Sequence, residues 1–339
     1  MNSSRLFAGI AALGMALGFA TAAEADTPVK FSLDWKFEGP SAPFLVARDK
    51  GYFKEAGLDV TIDSASGSLE PLNRVASGTY DMGFGDINSL IKFVDANPGV
   101  PLKAVYMLYN KPPFAVVGRK SLGINTPKDL EGKKLGAPAA DGAFAQWKIF
   151  VEANGLDASK VAIENVGFPV REPMLAAGQV DAITGFSFSS VLNLKSKGIE
   201  PDDISAFLMA DYGVNLYGNA IFVNPAFAEK NPEAVKSFLA AFNKGLKETV
   251  ADPVSAVEFV VAANPILNKT SELERLQLAL NQNILTDEVK KNGFGAIDPA
   301  RLSSSMDQIG LTYEFKARPA PEAIFDASYL PAADARKVD

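Results

Sequence analysis

Two seven-residue stretches, one hundred positions apart, repeat the same pattern. Ala76-Ser77-Gly78-Thr79-Tyr80-Asp81-Met82 is matched by Ala176-Ala177-Gly178-Gln179-Val180-Asp181-Ala182. In each, a helix is expected to end at glycine, the residue that enters the left-handed helix-closing conformation without steric cost. A strand then begins one residue before the aspartate, and Gly83 and Gly85, or Gly185, close it. A chain that repeats helix, turn and strand in this way is directed toward two lobes built on one βαβ plan, each with parallel sheet.

The intervening sequence supports that plan. Residues 31–34 form a short apolar run, and Pro43 opens a helical stretch through Tyr52 and Phe53 that Gly57 ends. Residues 58–62 alternate with period two, as a one-sided strand does. Ser68 can cap a helix carrying Leu69, Leu72 and Val75, and residues 80–85 form the next strand. Further on, Thr126-Pro127 and Asp141 mark helix starts. Strands are expected at 134–137, 161–164, 180–184 and 204–209, with helices around 172–177 and 191–197. Beyond Asn224 the chain reads as helical. Asn231-Pro232, Asp252-Pro253 and Asp298-Pro299 mark starts, and Ser271 with Glu274 has capping-box spacing.

The first residues read differently. Arg5 precedes an apolar run over 6–20, and Ala23-Glu24-Ala25 has the small-residue form of a signal-peptidase site. Residues 1–25 are therefore expected to be a leader cleaved near Ala25, the run being short for a membrane span of ~20 residues. The chain of 339 residues contains neither cysteine nor histidine. A lipidated N-terminal cysteine, disulfides, thiol catalysis, Ser-His and Cys-His pairs and His/Cys zinc sites are thereby excluded. The expectation is a free periplasmic protein. With 33 basic against 40 acidic residues, net charge −7, there is no general footprint for nucleic acid.

The run Leu33-Asp34-Trp35, Ala42-Pro43-Phe44, Asp49-Lys50-Gly51-Tyr52-Phe53 and Gly57-Leu58-Asp59-Val60 resembles a known family. Supporting motifs are Ser77-Gly78 through Asp86, Gly132-Lys133-Lys134-Leu135-Gly136, Gly178 through Asp181, and Tyr217-Gly218-Asn219. The chain is similar to the periplasmic solute-binding proteins of nitrate/sulfonate/taurine-type ABC importers, within them to the branch that includes binders of thiamine pyrimidine precursors. The resemblance implies an α/β, type II periplasmic-binding-protein fold: two lobes, two crossover segments and a small-molecule solute in the cleft. It also implies an ABC permease and a separate ATPase as partners, no resident cofactor or metal, and a monomer rather than an enzyme. The family also contains pyrimidine-precursor synthases that use an active-site histidine and a cysteine-rich motif, residue types this chain lacks. A binding protein that presents its solute to a chemoreceptor is a further alternative.

Pro112-Pro113 leading into 114–118, and then 218–223, are the expected crossovers. Lobe one is then residues 27–115 and 219–339, and lobe two residues 116–218. Ligands of open α/β sheets sit at the carboxyl ends of the strands. That rule selects Asp34 and Trp35, then Ser66, Gly67 and Ser68, then Gly85 and Asp86. In lobe two it selects Asp141 and Gly142, then Phe186, Ser187 and Phe188, with Asn215 and Tyr217 near the second crossover. Trp147 and Tyr106 read as core. A tetrahedral oxyanion needs several donors and no uncompensated carboxylate nearby, yet Asp34 and Asp86 flank the expected cleft, with Arg171 the one lobe-two cation placed near it. A carboxylate beside Trp35 suits a flat N-heterocycle bearing N–H donors, pyrimidine-like. Sulfonates, taurine, nitrate-like anions and aromatic acids are the alternatives. One stack at about 0.5–1.5 kcal/mol and one charge-assisted hydrogen bond at about 1.5–3 fall short of the ~8 kcal/mol of micromolar binding, so burial by lobe closure has to supply the rest.

Overall fold

The computed structural model describes residues 26–338. The expected leader, residues 1–25, lies outside them. Ten strands form two five-stranded sheets. The first contains β1 (Thr27–Ser32), β2 (Leu58–Asp63), β3 (Met82–Asp86), β4 (Lys103–Met107) and β10 (Asn219–Val223), in the order β2-β1-β3-β10-β4. The second contains β5 (Phe114–Arg119), β6 (Lys134–Ala137), β7 (Ala162–Asn165), β8 (Ala182–Phe186) and β9 (Ile204–Leu208), in the order β7-β6-β8-β5-β9. Strand for strand, the two orders correspond. In each sheet four strands share one direction, and a strand arriving from the other half of the chain (β10 or β5) lies antiparallel to its neighbours.

The repeated motif explains the correspondence at atomic level. Gly78 and Gly178 hold φ of +72° and +67°, and each ends a helix, Leu69–Ala76 or Arg171–Ala176. The aspartate that follows is fastened to the central parallel strand. Asp81 Oδ2 accepts from Lys30 N at 2.8 Å, and Asp181 Oδ2 accepts from Lys134 N, also at 2.8 Å. The backbone N–H groups of both aspartates donate back to the carbonyls of the same two lysines, each at 3.0 Å. This clasp sets the register between β1 and β3 and between β6 and β8.

Some expectations shift. Phe114 and Ala115, assigned by sequence to lobe one, pair with Phe186 and Gly185 and so belong to the second sheet. The crossing itself lies earlier, where Pro112 and Pro113 have no N–H to donate to a ladder. The expected second crossover segment, 218–223, is mostly β10, and the chain crosses back between β9 and β10. The helix read as capped by Ser271 starts earlier, at Lys269, because Asn268 accepts from Ser271 N at 3.0 Å. Thr126-Pro127 opens only a single turn of 3-10 helix, Pro127–Leu130. Strand β4 and the helix Ile87–Ala96 had no reading in the sequence at all.

The first-lobe core is aromatic. Phe31, Phe44, Phe53, Phe238 and Phe242 are buried, with ring centroids 4.4–5.2 Å apart in the chain of contacts linking them. These rings join β1 and the helix Ala42–Asp49 to the long helix Pro232–Ala251, which brings C-terminal chain back onto the N-terminal sheet. Trp147 is core, 5.9 Å from Phe150, and Tyr106 is buried with its hydroxyl donating to Asn243 at 2.7 Å.

Candidate functional site

The carboxyl ends of the parallel strands in the two sheets face each other. Beyond β1 the chain turns through residues 33–38, which carry Asp34, Trp35 and Glu38. Gly67 N, from the loop after β2, donates to Asp34 O at 2.8 Å and ties the two loops together. Asn219, the first residue of β10, donates its Nδ2 to Asp34 Oδ2 at 2.6 Å, so an element from 185 positions away orients this carboxylate.

The lobes are shut on one another. Trp35 meets Phe168, in the loop after β7, edge-on at 5.0 Å between centroids. A Cβ on Gly67 would lie 2.7 Å from Ala140 O and 2.8 Å from the Phe168 ring, so this approach requires glycine. Gln146 Nε2 donates to Asp86 Oδ2 at 3.1 Å and Ser189 Oγ to Glu38 Oε2 at 3.2 Å. Arg275, on the helix Lys269–Ala279, reaches the carbonyls of Phe188 and Ser189 at 3.4 and 3.3 Å.

Two small adjoining cavities, each about 30 Å³, remain between the lobes and share Asp34, Trp35, Phe186 and Ser189. The first is walled by rings: Phe44, Phe84, Tyr109 and Phe188 in addition to the shared two. The second brings together Gly67 and Ser68 from the first lobe with Asp141, Gly142, Phe168 and Arg171 from the second.

The site is electrostatically acidic. Burial pushes the Asp34 carboxyl up to about 7; the Asn219 bond opposes this, and Asp86 and Glu38 repel its charge. Burial likewise raises Glu38 despite Arg275 at 3.5 Å. Asp141 is raised by burial against the pull of Arg171, 3.8 Å away, and of Thr184, whose hydroxyl donates at 2.8 Å. Asp86 is also raised by burial, even though it accepts from Asn88 N, Ser89 N and Ser89 Oγ as the cap of the helix Ile87–Ala96. Arg171 is held by Glu172 at 2.6 Å. The buried indole N–H of Trp35 makes no hydrogen bond of ordinary geometry among the described residues.

Of the residues selected by sequence, the structure gathers Asp34, Trp35, Gly67, Ser68, Asp141, Gly142, Phe186 and Phe188 around the cavities. It places the others elsewhere. Asp86 is a buried cap behind the wall, and Gly85 is packed within β3 against Phe222. Ser66 is exposed, its N–H committed to Glu70 Oε2 at 2.6 Å. Ser187, next to a cavity residue where strand becomes helix, faces a separate open groove. Asn215 is exposed on the outer surface, its N–H donating to Gln308. Tyr217 is buried away from the cleft: its hydroxyl donates to Glu288 at 2.5 Å and accepts from Asp298 N at 2.8 Å, and Arg301 covers its ring at 4.0 Å.

Sequence reasoning missed Glu38, Phe168, Ser189, Tyr109 and Arg275. Phe168 was within reach, because the loop after β7 is the counterpart of the loop after β2 already chosen. Glu38 shares the Asp34–Trp35 loop. Tyr109 and Arg275 carried no local signal. Among the described residues no cluster of His, Cys, Asp or Glu is arranged for a metal ion, and no helix is long and apolar enough to cross a membrane.

Comparison with known proteins adds a lineage. A family model described as NMT1/THI5 like matches residues 39–256. The riboflavin-binding protein RibY of Chloroflexus aurantiacus is 26% identical over 250 residues, 73% of this chain and 68% of that protein. A formylaminopyrimidine-binding protein of Halalkalibacterium halodurans is 29% identical over 265 residues, 76% of this chain and 78% of that protein. The 4-amino-5-hydroxymethyl-2-methylpyrimidine phosphate synthase THI13 of Saccharomyces cerevisiae is 27% identical over 319 residues, 88% of this chain and 90% of that one. Among solved structures, the alkanesulfonate-binding protein SsuA from Xanthomonas axonopodis pv. citri aligns with a TM-score of 0.69 at 13% identity, covering 90% of this chain and 100% of that one. The fold is thus that of periplasmic binding proteins.

Proposed function

Because the chain belongs to the NMT1/THI5-like family, we propose that it is an exported solute-binding protein that closes two lobes over a flat N-heterocycle of the pyrimidine type. The lobes are the two sheets with their helices, hinged at the two crossings. The closed form delivers its solute to a membrane permease driven by a separate ATPase. A relative named for riboflavin and another named for a formylaminopyrimidine support a heterocyclic solute.

One observation carries the reading: a buried carboxylate, Asp34, beside the Trp35 indole in a ring-walled cavity between the lobes. A carboxylate accepts from ring or amino N–H groups, and aromatic walls suit a planar solute. A sulfonate or nitrate-like ligand fits the same site poorly. The cavity presents Asp34, Glu38 and Asp141 to it, while Arg171 is already held by Glu172. An uncompensated negative charge beside a buried carboxylate is strongly unfavourable. The synthase named among the relatives supports a catalytic reading less well, since the family's synthases use histidine and cysteine and this chain has neither.

The direct test is mass spectrometry of small molecules released by denaturing the purified protein. A pyrimidine or related heterocycle is the expected result; a released sulfonate would overturn the reading. A thermal-shift panel provides a second test, because a solute at 100 times its dissociation constant adds about 2.7 kcal/mol.

A further inference from the structure

We infer that the cleft is built for a cation, and that its solute is a planar heterocycle carrying a positive charge when bound, held by Asp34 and Glu38 within the aromatic walls. This rests on the heterocycle reading above and narrows it.

The charges of the closed site do not balance. Six carboxyl groups are buried or nearly so around it: Asp34, Glu38, Asp86, Asp141, Glu172 and Glu272. Two buried guanidinium groups oppose them, an excess of four negative charges over these two if all are ionised. Both guanidinium groups are already engaged. Arg171 is bonded to Glu172 at 2.6 and 3.0 Å and lies 3.8 Å from Asp141, and Arg275 is bonded to Glu272 at 3.0 Å and to two carbonyls of the other lobe and lies 3.5 Å from Glu38, so each guanidinium is shared between two carboxyl groups. Lys36 also lines the first cavity, but its side chain is exposed, with its ammonium 5.5 Å from the Trp35 ring, so water screens its charge from the buried carboxyl groups. Asp34 forms no ion pair among the described residues, and its bonded donor is the neutral amide of Asn219. Such a group leaves the anionic state unless a cation joins it.

The walls favour the same occupant. Phe84, Tyr109, Phe186 and Phe188 lie 5.4–6.4 Å apart in a continuous set of edge-to-face contacts, with Asp34, Glu38 and Trp35 lining the same cavity. Ring faces attract a desolvated cation through their quadrupoles, so aromatic walls beside carboxylates suit a cation. The Trp35 N–H, whose interaction with Glu38 falls short of ordinary hydrogen-bond geometry, offers one donor that a heterocyclic nitrogen or exocyclic oxygen can meet. A proton on Asp34 relieves the imbalance where no cation is bound, consistent with its raised pKa; a bound cation takes over that role.

Two near-isosteric pairs test this in the full chain by calorimetry at neutral pH. The first is 4-amino-5-(aminomethyl)-2-methylpyrimidine, an ammonium, against its 5-hydroxymethyl counterpart. The second is benzylamine against benzyl alcohol. The ammonium member is expected to bind about tenfold tighter or more, since a charge-assisted bond exceeds a neutral one by that order. Asp34→Asn and Glu38→Gln, which keep shape and remove charge, are expected to erase most of that preference. An alcohol binding as tightly as its amine in both pairs overturns the cation inference and leaves the heterocycle reading standing if the pyrimidine alcohol binds. A charge preference in the benzene pair with neither pyrimidine bound overturns the heterocycle reading instead. Failure of all four overturns both.

Discussion

At the residue scale, Asp34 is the group whose surroundings depart most from its chemistry. Its carboxyl is raised from 3.8 to about 7 by burial, so between these values the folded chain keeps a proton that the unfolded chain releases. Stability is therefore lost as pH rises through that window and stays lost above it. Asp34→Asn removes the penalty. Thermal melts should show the variant more stable than the parent at pH 8, with the advantage shrinking toward pH 4; a gap independent of pH would count against the burial argument. Trp35 makes the complementary case. Its half-buried indole lines both cavities and is not part of a lobe core, so Trp35→Ala should weaken solute binding about tenfold with little change in melting temperature. Unchanged affinity would remove it from the site. Both residues could be picked from sequence because they follow a strand and combine a polar group with an aromatic one. Tyr217 had the same appearance and lies elsewhere, because Glu288, Asp298 and Arg301, all distant in sequence, capture it.

Duplication is the lesson at the scale of elements. The Gly-x-x-Asp turn closes a helix and clasps the neighbouring strand at both Asp81 and Asp181 with the same two hydrogen bonds. Asp81→Ala and Asp181→Ala should each cost about 1 kcal/mol in urea unfolding, since each removes one side-chain bond to a strand N–H. A large cost at one site with none at the other would show that the turns are not equivalent. Helix starts were legible at Asp252 and Asp298, where cap and proline stand together and the side chains accept from first-turn N–H groups, whereas Thr126-Pro127 has the same form and opens only a 3-10 turn. The Ser271 start was misread because capping-box spacing recurs inside a helix, and Asn268 is the better placed acceptor. Strand β4 was missed because all but one of its residues are buried; without alternation, a short apolar run looks the same in strand and helix.

Over the whole molecule, closure is a matter of contacts that span the cleft: Gln146 to Asp86, Ser189 to Glu38, Lys195 to Glu274 at 2.5 Å, and Arg275 to the carbonyls of Phe188 and Ser189. Solution scattering should show the radius of gyration falling when a binding solute is added, as the population shifts toward this closed form. An unchanged radius at saturation would argue against hinge closure. The amino-acid sequence alone determined the local events: where helices end at glycine, that βαβ units build parallel sheet, that two halves share one plan, and that cysteine and histidine chemistry is absent. These depend on neighbours a few positions apart. Only the tertiary structure decided which side chains share the cavity and in what charge state, because Asp34 meets Asn219, Glu38 meets Arg275 and Trp35 meets Phe168 across more than a hundred residues of chain. Burial, which sets those charges, exists only once the lobes have come together.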